Sequence, residues 1–166
     1  MAAPAAGVRL SRVSPEPAAA GRPRPFVLAL LFTADRRRVV LMRRTRPAWQ
    51  AGRVNALGGK IGPDESAPDA ARREVREEAG VDVAAWEEFL VWDDPHYRLH
   101  AVRAFAGEAE DVRTVEDQEV FLAPVADLPP AVIDNLRWLI PLALDRDVLV
   151  PIRVRSANPE GSGLTE

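Results

Sequence analysis

The sequence predicts a layered α/β (α+β) domain. Three observations predict it. Phe26–Thr33 (FVLALLFT) is a short continuous apolar run, the pattern of a buried strand. Trp86–Trp92 and Tyr97–Ala106 read as a hairpin turning at Asp93, Asp94 and Pro95, with partial alternation from Tyr97 to Phe105. Between these, Ser66–Ala79 has helical composition and is followed by Gly80, a natural helix terminator. Interspersed strands and helices pack as layers around one core.

The other elements follow in chain order. Val39–Arg44 is the hairpin partner of the first strand across the polar turn Ala34–Arg37. Thr45–Arg53, with Pro47, Trp49 and Gly52, is a loop, and Val54–Leu57 is a short strand before Gly58 and Gly59. Gly107–Glu119 is an acidic loop and Val120–Val125 a strand. Pro129 and Pro130 are expected to start a helix running to about Leu144. The domain is expected to span 26–155. Residues 1–25 are rich in Ala, Pro and Arg and are expected to be a disordered tail. Their one acid is Glu16, and an Arg-rich, acid-poor targeting peptide is the alternative. Residues 156–166 are expected to be a loose polar tail.

Composition excludes several classes. The 166-residue chain is 47% hydrophobic and 28% charged, an ordinary globular mix. No apolar run approaches the roughly 18–20 residues that span a bilayer, so no membrane association is expected. A net charge of −3 argues against nucleic acid as a partner. The absence of cysteine excludes disulfides, thiolate metal sites and a cysteine nucleophile. The N-terminus lacks an apolar signal core, so a cytoplasmic location is expected. Lys60 is the only lysine among 22 basic residues, and it stands beside two glycines.

The informative stretch is Gly59–Val81, GKIGPDESAPDAARREVREEAGV. Glu74, Glu77 and Glu78 share one helical face by their spacing and repel one another. A solvated face is the ordinary outcome for such a run, and a helical wheel tests it. Ala67, Ala70, Ala71, Val75 and Ala79 form an apolar arc. Glu78 falls inside that arc, Glu74 between Ala70 and Ala67, and Glu77 at its edge. Asp69, Arg72, Arg73 and Arg76 fall on the far side. Inward carboxylates are costly unless paired or bound to a cation, and clustered hard oxygen ligands suit Mg²⁺ or Mn²⁺.

The same stretch resembles the Nudix box: Gly59, five residues, Glu65, seven residues, then Arg73-Glu74-Val75-Arg76-Glu77-Glu78-Ala79-Gly80-Val81. Asp64 stands where the family usually has glycine just before the first glutamate. Asp tolerates left-handed turn conformations, so the turn should survive. The resemblance implies the Nudix fold, a mixed sheet sandwiched between helices. It implies a hydrolase of nucleoside diphosphates linked to a further group, with a divalent cation neutralising the phosphates. Carried over by position, Glu74, Glu77 and Glu78 are metal ligands, and the Gly59 carbonyl is a further candidate. Arg73 orients a neighbouring glutamate, and Glu65 holds loop and helix together. In the acidic loop, Glu119 or Glu116 is expected as the distal ligand or general base.

The flank Gly52–Ile61 (GRVNALGGKI) resembles the oxidised-purine triphosphatases of the MutT type. That resemblance implies a small-molecule nucleotide substrate, an oxidised purine (deoxy)nucleoside triphosphate such as 8-oxo-dGTP. Asn55 would bind the base, Lys60 would lie near the phosphates, and Arg43 would line the same pocket. Leu136–Leu144 resembles the helix closing the base pocket of the mammalian member. Asp134 and Asn135 precede it, without the Trp found there. Trp49 and Trp138 are candidates for stacking or for the core, and His96 and His100 are expected in structural positions. The alternatives are another nucleoside diphosphate derivative, such as ADP-ribose or a nucleotide sugar, and a binding module without turnover.

Overall fold

The structure, a computed structural model, describes residues 23–156. The expected tails lie outside the described residues, apart from residues 23–25 and Ser156. The elements are β1 (Arg24–Phe32), β2 (Arg38–Arg43), β3 (Val54–Asn55), α1 (Ala67–Ala79), β4 (Glu87–Asp93), β5 (Tyr97–Phe105), β6 (Val120–Pro124), α2 (Leu136–Leu144) and β7 (Ile152–Arg155). The strands form one mixed sheet in the order β3-β2-β1-β5-β4-β7, with β6 also paired to β2.

β1 is apolar on both faces because helices cover both faces. Val27, Ala29 and Leu31 join the cluster under α1, with Ala70, Ala71 and Val75. Leu28, Leu30 and Phe32 join the cluster under α2, with Leu136, Leu139 and Ile140. Each large apolar side chain buried there contributes roughly 1.5–3 kcal/mol. The sandwich is the architecture that the sequence predicts.

α1 is bounded as its residues require. The Ser66 hydroxyl accepts from the Asp69 N–H at 3.2 Å, and Gly80 closes the helix at φ 72°. Asp64 takes the left-handed conformation at φ 59°, as its place in the motif demands.

Long-range pairing positions the site. β1 runs parallel to β5 along its whole length, from Arg24–Tyr97 to Phe32–Phe105. It pairs with β2 only at Phe32–Val39 and then diverges. The segment from Val54 to Lys60 fills the gap. It pairs with Met42 and Arg43 on one side and with Ala29 and Phe26 on the other. The glycine loop ahead of α1 is thereby sewn to the sheet, through Val27 N–H to the Gly59 carbonyl (2.9 Å) and Ile61 N–H to the Pro25 carbonyl (3.1 Å).

Several expectations are corrected. The last helix begins at Leu136, not at Pro129. Val54 donates to the Ala131 carbonyl at 2.9 Å and accepts from the Ile133 N–H at 3.0 Å, so that stretch is held beside β3 instead of coiling. β7, which the sequence reading lacks, pairs parallel with β4. Ser156, expected in the loose tail, is tied at 2.9 Å by its N–H to the Asp93 carbonyl. Arg24 and Pro25, expected in the N-terminal tail, open β1.

Candidate active site

α1 and the loop before it assemble an acidic floor. Glu78 is 8% exposed, whereas the Glu77 side chain is 51% exposed. One Glu78 oxygen accepts from the Gly58 N–H at 3.0 Å, and the other lies 3.7 Å from Arg44 Nη1. Burial pushes the Glu78 carboxyl up to about 7; the Gly58 N–H and Arg44 oppose the rise, while the charges of Glu74 and Glu116 add to it. The charge of Glu116, on the opposite loop, is the smallest of these influences.

Arg73 organises the rest. It grips Glu65 with two bonds, Nε to Oε1 and Nη2 to Oε2, both 2.9 Å. Its Nη1 donates to Glu74 at 2.7 Å and lies 3.5 Å from Glu77, and its Nη2 donates to the Lys60 carbonyl at 3.0 Å. This corrects the helical wheel, which put Arg73 on the solvated far side. An arginine stem is long enough to curl back over its own helix. Arg73 and the Gly62 N–H hold Glu65 below the usual carboxylate range.

Two glycines are dictated by close approach. A side chain on Gly58, at φ 139°, would run into the Val27 carbonyl. One on Gly59 would strike the Glu74 carboxylate. The Gly59 carbonyl already accepts from Val27 and has one lone pair left.

The remaining predicted site residues divide. Arg43 and Glu119 pair with each other, Nε to Oε2, at 3.0 Å. Arg46 pairs with Glu116 at 3.6 Å and with Asp117 at 3.2 Å. Lys60 is exposed on the glycine segment. Asn55 accepts from the Ala56 N–H at 2.8 Å, and its amide nitrogen has no hydrogen bond among the described residues. His100 pairs with Glu88 at 2.7 Å on the sheet, a structural position. Trp49, which could have been core, is 51% exposed, while Trp138 packs 5.7 Å from Trp92.

Sequence reasoning missed three features. Gln118 is buried, accepting from the Thr45 N–H at 3.4 Å. Arg44 is nearly buried beside Glu78, and its buried Nε has no hydrogen-bond partner among the described residues. Asn135 Oδ1 and Trp138 Nε1, on residues that the sequence did single out, are also buried without a hydrogen-bond partner among the described residues. Arg44 was discoverable as one of two consecutive arginines ending an apolar strand. The burial of Gln118 carries no signal in one sequence.

Among the described residues no three acidic or histidine side chains form a ready ligand cage. Arg73 draws Glu74 and Glu77 towards itself. The donor set nonetheless fits a hard divalent cation: carboxylate oxygens, one of them in a setting that disfavours its charge.

A sandwiched mixed sheet whose glycine loop feeds a glutamate-lined helix defines a class of phosphoric anhydride hydrolases. A family model described as the NUDIX domain matches residues 22–142. The fold is similar to that of the MutT NUDIX hydrolase from Burkholderia pseudomallei (26% identity, TM-score 0.62, covering 74% of this chain and 98% of that one). It is also similar to MutT described from Aliivibrio salmonicida and Vibrio cholerae (23% identity, TM-score 0.59, 75% and 100% covered). A third similar structure is a MutT/nudix family protein from Enterococcus faecalis (24% identity, TM-score 0.56, 66% and 47% covered). The chain belongs to the Nudix family and is a hydrolase of phosphoric anhydride bonds. Nudix hydrolases generally use divalent metal ions and act on small nucleotide molecules. No helix among the described residues is long and apolar enough to cross a membrane.

Proposed function

We propose that this enzyme is a Mg²⁺-dependent nucleoside triphosphate pyrophosphohydrolase. Its substrate is an oxidised purine (deoxy)nucleoside triphosphate such as 8-oxo-dGTP, cleaved to the monophosphate and pyrophosphate in sanitation of the nucleotide pool. Mn²⁺ is the expected substitute. The observation that carries the reading is Glu78, a carboxylate buried on the α1 face within the influence of Glu74 and Glu116. The Gly58 N–H and Arg44 offset only part of the cost of burying this charge, and a bound cation would offset the rest.

Glu74, Glu77, Glu78 and Glu116 would hold the cation, which supplies neutralisation of the phosphate charge during displacement. Arg73 orients Glu74 and fixes the glycine loop through the Lys60 carbonyl. Lys60 and Arg43 supply positive charge to the phosphates. Each loop glutamate has an arginine partner, Arg46 at 3.6 Å from Glu116 and Arg43 at 3.0 Å from Glu119; Glu116 is favoured as the loop ligand because its pairing is the looser one and its charge bears on Glu78. This revises the sequence reading, in which either served.

The base reading rests on two neighbouring segments. β3 lies beside residues 131–133, so Asn55 and the Asp134–Asn135 pair stand on adjoining stretches. The Asn55 amide nitrogen and Asn135 Oδ1 supply a donor and an acceptor for a purine edge. The test is kcat/KM for 8-oxo-dGTP, dGTP, ADP-ribose and a nucleotide sugar. The oxidised triphosphate should lead. ADP-ribose or the sugar in first place would replace this reading.

A further inference from the structure

Gly80 ends α1 in the left-handed conformation, but its lack of a side chain also serves a second contact. A Cβ at Gly80 would stand 2.8 Å from the central carbon of the Arg113 guanidinium and 3.0 Å from its Nη2. Arg113 therefore lies flat on this glycine. Its N–H donates to the Ala79 carbonyl at 3.1 Å, one of the carbonyls left open at a helix C-terminus. A cation at that end also meets the negative pole of the helix. Arg113 is thus docked by backbone and side chain on the turn that follows Glu78.

Arg113 opens the exposed apex of the loop that carries Glu116. Thr114 next to it accepts from the Val120 N–H at 3.0 Å, closing the apex across its base. On the far side, buried Gln118 accepts from Thr45, and Arg46 pairs with Glu116 and Asp117. Between these anchors the apex is exposed, with Val115 50% exposed. Arg113 fastens this apex to the end of α1, the helix bearing Glu74, Glu77 and Glu78.

We infer that Arg113 is a positioning residue: by docking on Gly80 it fixes the height of the 113–119 loop over α1 and holds Glu116 within reach of the cation site. The proposal rests on the reading of Glu116 as the loop ligand, and it gives the glycine of the box a role besides ending the helix. Arg113 is exposed and outside both core clusters, so its truncation to alanine, which keeps the backbone bond to Ala79, is expected to leave folding intact.

The experiment is Mn²⁺ binding by electron paramagnetic resonance, on wild type, Arg113→Ala, Glu116→Gln and the double variant. Melting in chelator is measured alongside. Arg113→Ala should weaken Mn²⁺ by about 10-fold, the lower end for residues that orient a ligand, with melting unchanged. In the Glu116→Gln background the same change should have no further effect. Wild-type affinity in Arg113→Ala, or an equal loss in both backgrounds, would overturn the proposal and leave the Glu116 assignment standing. Wild-type affinity in Glu116→Gln alone would overturn that assignment, and the proposal with it.

Discussion

Glu78→Gln separates a ligand from a structural acid, because the two roles predict opposite changes in stability. The substitution keeps the shape and leaves an amide oxygen for the Gly58 N–H. It removes a charge from a residue that is 8% exposed. The Glu78 carboxyl stands at about 7 against an ordinary 4.5, chiefly through burial. A raised acid holds its proton more tightly in the fold than in the unfolded chain. Its contribution to stability is therefore complete below the unfolded value and is lost as pH rises through the folded value. At 1.36 kcal/mol per pKa unit the loss in wild type is about 3 kcal/mol. Glutamine does not titrate. In chelator, urea unfolding should show the variant gaining about 3 kcal/mol on wild type between pH 4.5 and pH 8. With Mg²⁺ at pH 8, its kcat should fall by at least about 100-fold if Glu78 helps to hold the cation that neutralises the transition state. If Glu78 served mainly as the partner of Arg44, the variant would lose stability at pH 8 by stranding that guanidinium, and turnover would follow the folded fraction. A variant less stable than wild type at pH 8, or one with near wild-type kcat, refutes the reasoning.

Asn55→Ala should raise KM for purine triphosphates by roughly 1–3 kcal/mol of lost binding, read from steady-state kinetics, with kcat less affected. An unchanged substrate rank order would reduce Asn55 to the partner of the Ala56 N–H. Gly59→Ala should push Glu74 aside, since the new methyl would occupy the place of its carboxylate; metal affinity should drop far more than the melting temperature. Leu139→Ala, at a fully buried site on α2, should cost about 2–5 kcal/mol in urea unfolding, a loss that separates core damage from the site variants.

The parts of the fold written in local pattern were legible. α1 is bounded by Ser66 and Gly80, and the hairpin of β4 and β5 turns at Asp94, whose carboxylate accepts from the His96 N–H at 3.0 Å. The inward direction of Glu78 was readable from its place in the apolar arc. Long-range pairing was not. Nothing local says that β1 lies parallel to β5, or that residues 131–133 flank Val54 and so delay α2 to Leu136. β7 did leave a trace, half-buried Ile152 and Val154 alternating with exposed Arg153 and Arg155, but four residues are too short a run to stand out. In the site, residue types and spacing disclosed the glutamates. They could not disclose that Arg73 reaches back to the Lys60 carbonyl, or that Arg46 pairs with Glu116 and Arg43 with Glu119, because those contacts depend on how distant segments meet.

The most direct test of the account is turnover of 8-oxo-dGTP with Mg²⁺ and with chelator, the products resolved by chromatography. The account predicts the monophosphate and pyrophosphate in equal amounts with Mg²⁺, no turnover in chelator, and recovery on adding Mg²⁺ or Mn²⁺ back. Full turnover in chelator, or release of orthophosphate in place of pyrophosphate, would contradict it.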